Sequence, residues 1–244
     1  MNAFQRIVRL SAALGAAALL GACGTPMGLT KQTTKLDLSK ESAVLATFEV
    51  TRSNGRLMPD PRHLFLRGAK AADGSDRVSL AIDDEGMEQD TGKPRKLVMV
   101  RLLLKPGKYS LENVMGTITG FLAVGTWAVP LNLQFDVPEN SVVYLGRISA
   151  HLRDRKDDEF RAGSLIPLID QAALGISNAT FDVAVSDQSA IDLPRFREAY
   201  SVLRNQEIQS RLLPAFDRTA FDREYQGATA SLEAKPASAA SSGQ

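Results

Sequence analysis

The sequence predicts a mainly β protein: an antiparallel β-sandwich-like domain followed by a C-terminal α-helical appendage. Three observations support this fold class. Apolar and polar residues alternate in short runs through the middle of the chain, turn residues separate these runs, and helical spacing appears only near the end. Alternation is typical of strands that bury one face and expose the other. An apolar fraction of 44% is sufficient for a globular core.

Six to eight short strands are predicted. The clearest alternation lies in Leu131–Val137, and Leu97–Leu104 is nearly continuously apolar, as expected of a central strand covered on both faces. Proline and glycine in Lys105–Lys108 predict a type II turn, because proline presets φ and glycine supplies a positive φ. Frequent turns of this kind favour a sandwich or barrel. The other predicted strands contain Val44–Val50, Val78–Ile82, Tyr109–Val114, Val142–Leu145 and Phe181–Val185.

A helix is predicted late in the chain. Asp192 is a suitable cap for a helix that begins at Leu193, since proline at position 194 is tolerated in a first turn. The pattern continues toward Pro214, which would stop it. We expect the helix to pack on the sandwich or across one end. One face of the helix contains Phe196, Tyr200 and Leu203.

The two flanking segments have little periodicity. Residues 24–40 are rich in Thr, Lys, Ser and Gly, which predicts a tether, and residues 227–244 have the composition of a disordered tail. The predicted organisation is a signal peptide, an anchor with a flexible tether, a β-sandwich domain, a helical appendage and a disordered tail. These segments cover residues 1–22, 23–40, 41–187, 188–226 and 227–244.

The first residues have the order of a secretory signal. Arg6 and Arg9 precede the apolar run Leu10–Leu20, and small residues then lead to Cys23, the only cysteine of the chain. The apolar run is too short to span a bilayer, which takes about 20 apolar residues. A simple secretory signal with a chance cysteine is one interpretation.

The string Leu20-Gly21-Ala22-Cys23 resembles the lipobox of bacterial lipoproteins. The resemblance implies that residues 1–22 are removed and that Cys23 carries a diacylglycerol and an N-acyl chain. These chains would hold the protein on a membrane. Gly24 in place of aspartate implies the outer membrane, with the protein facing the periplasm. An acylated Cys23 also leaves no thiol for a disulfide, a metal site or a nucleophile.

A second resemblance covers about 45 residues. Leu104–Tyr109, followed by Phe135–Val137 and Val143–Gly146, is similar to uncharacterised bacterial lipoproteins and to carboxypeptidase-regulatory and transthyretin-like sandwiches. The shared pattern of a proline-glycine turn, a tyrosine and a strand is explained by the requirements of the fold. The resemblance therefore implies a fold and no specific activity.

Charge and motifs exclude several functions. The chain has 29 basic and 28 acidic residues, and removal of Arg6 and Arg9 with the signal leaves a slight acidic excess, so nucleic acid is not an expected partner. His151 in a charged run could act as a base or a ligand, but such runs usually face water. The acidic residues 83–90 predict a hairpin loop rather than a calcium site. We predict no enzyme activity, no metal and no cofactor besides the acyl chains.

Residues 113–135 carry no charge. One interpretation is two buried strands joined by a glycine-rich turn; another is an exposed apolar loop around Phe121 and Trp127 that contacts a partner, an acyl chain or the membrane. Pro130 and the strand-like second half argue against a transmembrane helix. The predicted function is a structural or interaction module of the cell envelope with a protein partner. The alternatives are a lipoprotein that binds an apolar ligand at 113–135 and a hydrolase that uses His151.

Overall fold

The computed structural model describes residues 24–53, 57–68, 77–90, 94–121, 124–156, 159–163, 174–176, 178–223 and 225. Within these residues the protein is mainly β, with two sheets and few helices, which confirms the predicted sandwich-like fold class. The signal peptide predicted at 1–22, Cys23 and the tail predicted at 227–244 lie outside the described residues.

Ten strands are present in the described part of the chain. They are β1 (Ser42–Arg52), β2 (Asp60–Arg67), β3 (Arg77–Ala81), β4 (Met87–Asp90), β5 (Arg95–Leu104), β6 (Gly107–Thr119), β7 (Val124–Val137), β8 (Val142–Asp154), β9 (Ala179–Ser186) and β10 (Gln209–Ser210). The helix α1 spans Ser189–Ala199, short 3-10 helices cover Asp84–Gly86 and Ser201–Leu203, and residues 218–223 are helical. The seven predicted strand segments coincide with seven of these strands, except that Ile82 lies one residue beyond the end of β3; β2, β4 and β10 were not predicted.

One sheet is wholly antiparallel, with the order β3-β2-β6-β7. The other sheet has the order β10-β8-β1-β5-β4, and β9 pairs with the remaining part of β8. In this sheet β8 runs parallel to both β1 and β10. The predicted all-antiparallel sandwich is therefore corrected to a mixed one. Alternation of apolar and polar residues indicates which side chains point to the core, but it does not indicate whether neighbouring strands are parallel or antiparallel.

The strand β8 changes partners at Gly146. β10 pairs with Val143 and Tyr144, whereas β9 begins its pairing at Arg147. At the same place β8 has one more residue than β1, and Gly146 has φ +98°. Glycine adopts positive φ without a steric cost, so it fits a bulge that lets one strand edge serve two partners.

The substitution Gly146→Ala should lower the free energy of unfolding by about 1–3 kcal/mol, the usual cost of a strained backbone residue. A Cβ at this position would also lie 3.0 Å from the Ser186 carbonyl oxygen. Urea denaturation measures the effect. As a control, Asn140→Gly at a turn position with φ +49° should leave stability nearly unchanged. Equal stability of Gly146→Ala and the parent would contradict this account of the bulge.

The main core lies between the two sheets. Its largest fully buried members include Phe48, Trp127 and Phe181. The strand β5 also contributes Met99 to a second cluster on the outer face of its sheet. This strand is thus covered on both faces, as its continuous apolar sequence predicted.

The second cluster is built by α1 and the segment that follows it. Phe196, Tyr200 and Leu203 pack on the outer face of the larger sheet, next to Leu45 and Tyr144. Packing of the helix on the sandwich is as expected, but its bounds differ. The helix begins at Ser189, so Asp192 lies inside the first turn rather than at the cap, and it ends at Ala199 instead of near Pro214.

The predicted appendage over 188–226 is therefore part of the sandwich. Tyr200 has an extended backbone that ends the helix, and Leu203 stays on the same face through a 3-10 turn. Gln209 and Ser210 then pair with β8. The edge of β8 that β9 leaves uncovered supplies unpaired backbone groups, which favours this pairing.

A flexible tether was predicted over residues 23–40. At residues 25–29 this prediction is wrong, because the segment is docked on the domain. The Thr25 amide donates to the Ser79 carbonyl oxygen, and the Thr25 carbonyl accepts from Ala81, both at 2.8 Å. Met27 and Leu29 are buried. Two apolar side chains and an open strand edge are enough to dock a segment whose overall composition is polar.

Candidate functional site

The uncharged residues 113–135 form most of the β6–β7 hairpin. The pairing extends from Gly107 opposite Val137 to Thr119 opposite Val124. Side chains on one face of both strands enter the main core. The interpretation as two strands joined by a turn matches this geometry, although Leu122 and Ala123 in the turn lie outside the described residues.

The structure separates the two residues of the predicted contact surface. Phe121 at the hairpin tip is 99% exposed, whereas Trp127 is 1% exposed. The Trp127 indole donates a hydrogen bond to the Thr117 carbonyl at 3.0 Å, and its ring lies 5.3 Å from that of Phe181. Trp127 is therefore a core residue and not part of a contact surface. The sequence carried this signal, because position 127 has the same parity as the inward residues of Leu131–Val137.

The hairpin tip is an apolar projection. Val124, three residues after the almost fully exposed Phe121, is 54% exposed, and Met115, four residues before the end of β6, is 38% exposed. A group of exposed apolar side chains without charge often marks a contact site. Within the described residues, no helix is long and apolar enough to cross a membrane.

A recess lies beside the middle of the same hairpin, next to Phe221 and Tyr225 of the C-terminal helical residues. Its volume is about 270 Å³. Strands β3, β6 and β7 supply its four polar residues and one proline, and the C-terminal helical residues supply two aromatic rings. The lining residues are Arg77, Glu112, Asn113, Pro130, Asn132, Phe221 and Tyr225.

Two adjacent irregularities in the sheet shape this recess. The pairing of β6 with β2 shifts by one residue near Glu112, and the pairing of β7 with β6 shifts near Asn132. Asn132 has φ +50°, a conformation in which asparagine is one of the few tolerated residues. Bulges redirect side chains and are common beside binding sites. Sequence reasoning missed the recess, since alternation continues through β7 without a visible break.

The polar wall of the recess contains a paired charge and a buried oxygen. Glu112 accepts from the Arg67 Nε at 2.8 Å and lies 3.2 Å from the Arg77 Nε. Among the described residues, the Asn113 Oδ1 is buried without a hydrogen-bond partner. A buried acceptor without a donor is costly, so it calls for a specific explanation.

The opposite wall is aromatic. The Phe221 ring meets the buried Phe160 edge-on at 5.3 Å and stacks with Tyr225 at 6.4 Å between centroids. Arg218 lies over Phe160 at 4.8 Å. Phe221 and Tyr225, four residues apart in the chain, thus both lie against the ring of Phe160.

Charged side chains fix the helical residues that carry this wall. Arg153 donates to both Glu159 and Asp182, and Arg218 lies close to the same two carboxylates. The hydrogen bonds from Arg153 lower the pKa of Glu159 to about 2. The Asp222 carboxylate accepts from the Phe160 amide. This network holds the C-terminal residues against β8 and β9.

The structure places His151 between two hydroxyl groups. The Thr51 Oγ1 lies 2.7 Å from the Nδ1, and the Ser53 Oγ lies 2.5 Å from the Nε2. A serine at a histidine nitrogen is one part of a nucleophilic site, but the orienting partner here is a hydroxyl rather than a carboxylate. Asp182, opposite His151 in the sheet, is bonded to Arg153. These hydrogen bonds connect Thr51 of β1, and Ser53 just after β1, to His151 of β8.

The acidic segment 83–90 is not a simple loop. It forms a 3-10 helix and β4, and the Asp83 carboxylate binds the buried Arg101 and caps the Gly86 amide. In the part of the chain that the structure describes, no group of three or more His, Cys, Asp or Glu residues could hold a metal ion.

The two candidate sites are therefore the hairpin tip and the recess, both built on β6 and β7. Comparison of the chain with protein families, with curated proteins and with solved structures finds no match.

Proposed function

We propose that the protein is a non-catalytic lipoprotein of the outer membrane, anchored through Cys23, that acts as a structural or interaction module of the cell envelope. The observation that supports this function best is the exposure of Phe121 at the tip of an uncharged hairpin. Aromatic residues are enriched among the side chains that contribute most to protein interfaces. The hairpin tip is thus suited to insertion into an apolar pocket of an envelope protein.

The start of the folded chain supports a position near the membrane. Thr25 pairs with Leu80 of β3, two residues after the cysteine that the lipobox resemblance assigns to the anchor. Leu80 of β3 pairs with Leu64 of β2, and Leu64 pairs with Val114 in the middle of the hairpin. The three residues therefore lie side by side across the sheet. The tip begins six residues farther along the strand, about 20 Å at 3.3 Å per residue. An acylated Cys23 would therefore keep the tip close to the envelope surface.

The alternative of an apolar ligand held by residues 113–135 receives less support. Trp127 and the other inward side chains of the hairpin already pack in the main core. The recess beside the middle of the hairpin is lined by a carboxylate and two amides as well as by aromatic rings. An acyl chain would desolvate these polar groups without replacing their hydrogen bonds.

Site-specific photo-crosslinking in living cells tests the proposed function. With benzoylphenylalanine at position 121, we expect one dominant crosslinked protein, whereas the same group at Gln134, an outward position of the same hairpin, should give none. The variant Cys23→Ala should lose the crosslink because the domain leaves the membrane. Lipid adducts alone at position 121, or the same products at both positions, would contradict a protein partner.

A further inference from the structure

We propose that the outer face of the smaller sheet lies against the phospholipid bilayer to which Cys23 is anchored. The outer face is the side of β3, β2, β6 and β7 that points away from the main core. This inference deepens the proposed function and rests on it, because it requires acylation of Cys23. It adds which surface of the domain meets the membrane, and it leaves the hairpin tip with Phe121 to the protein partner.

The link between the anchor and the sheet is one peptide unit long. Consecutive Cα atoms lie about 3.8 Å apart, so Cys23 lies no farther than this from the Cα of Gly24. Gly24 is close to β2, since a Cβ built on it would be 3.3 Å from the His63 ring. The next residue, Thr25, is fixed to β3 by two backbone hydrogen bonds. Acyl chains on Cys23 would therefore leave the protein at the β3 edge of the smaller sheet.

The side of the sheet next to Gly24 is the outer one. In β2 the side chains of Leu64 and Leu66 are buried in the main core. Successive side chains of a strand point to opposite faces, so His63 and Phe65 point outward. Their rings lie 6.2 Å apart between centroids. The ring that borders Gly24 thus belongs to the outer face, and the anchor is attached beside this face.

The part of the outer face nearest the anchor carries no Lys, Arg, Asp or Glu in two successive rows across the four strands. Met115 in this part is 38% exposed, and Phe65 is half-buried. Farther along the same face, β7 presents the exposed residues Asn132, Gln134 and Asp136, as expected of a sheet that faces water. The uncharged part is therefore an exception on its own sheet. The rows are Ala81, His63, Met115 and Ala128, and then Ser79, Phe65, Asn113 and Pro130.

Basic side chains border the uncharged part. Arg67 and Arg77 pair with each other across β2 and β3, directly after Phe65 and before Ser79 on the same face. Their side chains are 43% and 66% exposed, and both lie close to a single carboxylate, that of Glu112. Two arginines and one carboxylate leave a net positive charge. A positive border around an uncharged surface suits the phosphate groups of a lipid bilayer.

The short link to the anchor favours the bilayer over a protein as the occupant of this face. A protein partner or a second copy would have to fit between the domain and the membrane. Even one additional sheet needs a layer of about 10 Å, which is more than a single peptide unit spans. Contact with the lipid interface would also remove the side chains of Phe65 and Met115 from water, which is favourable.

Fluorescence quenching tests the orientation in the full-length acylated protein. The vesicles contain phosphatidylethanolamine, phosphatidylglycerol and a lipid with a nitroxide on its headgroup. Acylation leaves Cys23 without a thiol, so a single introduced cysteine takes an environment-sensitive fluorophore at one position. With Met115→Cys we expect the label to lose most of its emission when the nitroxide lipid is present. Thr126→Cys, at another exposed outward position of the same hairpin, should give the same result.

Ile191→Cys is the matched control. Ile191 is an apolar residue of α1 that is 50% exposed, and α1 packs on the outer face of the larger sheet. The two sheets, about 10 Å apart, and the helix separate this position from the proposed face. Its label should keep the emission that it has in vesicles without nitroxide. Unfolding midpoints equal to that of the parent verify that the labelled variants are folded.

The outcomes separate this inference from the proposed anchor. Equal quenching at Met115 and Ile191, stronger quenching at Ile191, or no quenching at either position would overturn the orientation. A label at Met115 that is shielded from water but not quenched would show a protein or a second copy on this face, and would also overturn it. Mass spectrometry of the N-terminal peptide reports acylation independently. An unmodified Cys23 would contradict the anchor and the orientation together, whereas an acylated Cys23 without selective quenching contradicts the orientation alone.

Discussion

Replacement of Asp192 by alanine should lower the free energy of unfolding by about 3–5 kcal/mol, the usual cost of removing one partner of a buried ion pair. Asp192 is 1% exposed. Its carboxylate accepts from the Tyr144 hydroxyl at 2.6 Å and from the Nε and Nη2 of Arg147. These bonds join the first turn of α1 to β8, an inner strand of the larger sheet.

The large expected loss of stability arises because Asp192→Ala leaves the buried Arg147 and Tyr144 without their shared carboxylate. The Arg147 side chain is only 10% exposed, and its remaining carboxylate neighbour, Glu49, lies 3.9 Å away. Tyr144 is buried, and burial together with the Asp192 carboxylate raises the pKa of its hydroxyl, which therefore stays protonated and loses its acceptor. An uncompensated buried charge costs more than the intact pair contributes.

Urea denaturation monitored by the fluorescence of the single tryptophan, Trp127, measures this effect. Asp187→Ala is the matched control, since the exposed Asp187 accepts from the Ser189 amide at the same helix end and its loss should change stability by about 1 kcal/mol or less. The double variant Arg147→Met with Asp192→Leu should recover much of the loss, because it removes both charges. A loss under about 1 kcal/mol in Asp192→Ala would contradict the role of this network.

Replacement of Trp127 by alanine should also cost about 3–5 kcal/mol, whereas Phe121→Ala should change stability by less than about 0.5 kcal/mol. Both aromatic residues belong to the same uncharged segment. Trp127 fills space in the main core opposite Gly116, its partner in β6, which leaves room for the indole ring. Its removal would leave a cavity and an unpaired Thr117 carbonyl.

Thermal denaturation followed by circular dichroism compares the two variants without relying on tryptophan fluorescence. For a domain of this size, the Trp127→Ala loss corresponds to a fall in Tm of about 10 °C. Co-purification of the partner that the crosslink identifies should show the opposite order, with a reduced yield in Phe121→Ala although its stability is unchanged. Similar stability losses in both variants would show that the tip is part of the core and would remove the basis of the proposed contact surface.

The sequence determined which residues face the core and where many strands lie. Alternation in Leu131–Val137 placed β7, and continuous apolarity in Leu97–Leu104 correctly predicted a strand covered on both faces. These features follow from local geometry, because successive side chains of a strand point to opposite faces. The same parity would have assigned Trp127 to the interior.

Only the tertiary structure decided how these elements meet. The parallel pairing of β1 with β8, the docking of Thr25 on β3 and the addition of β10 join segments far apart in the chain. The recess likewise needs bulges on two neighbouring strands and aromatic rings from the C-terminal residues. Local patterns record the face that a side chain presents, whereas partner choice depends on free energies of long-range contact and on which strand edges remain unpaired.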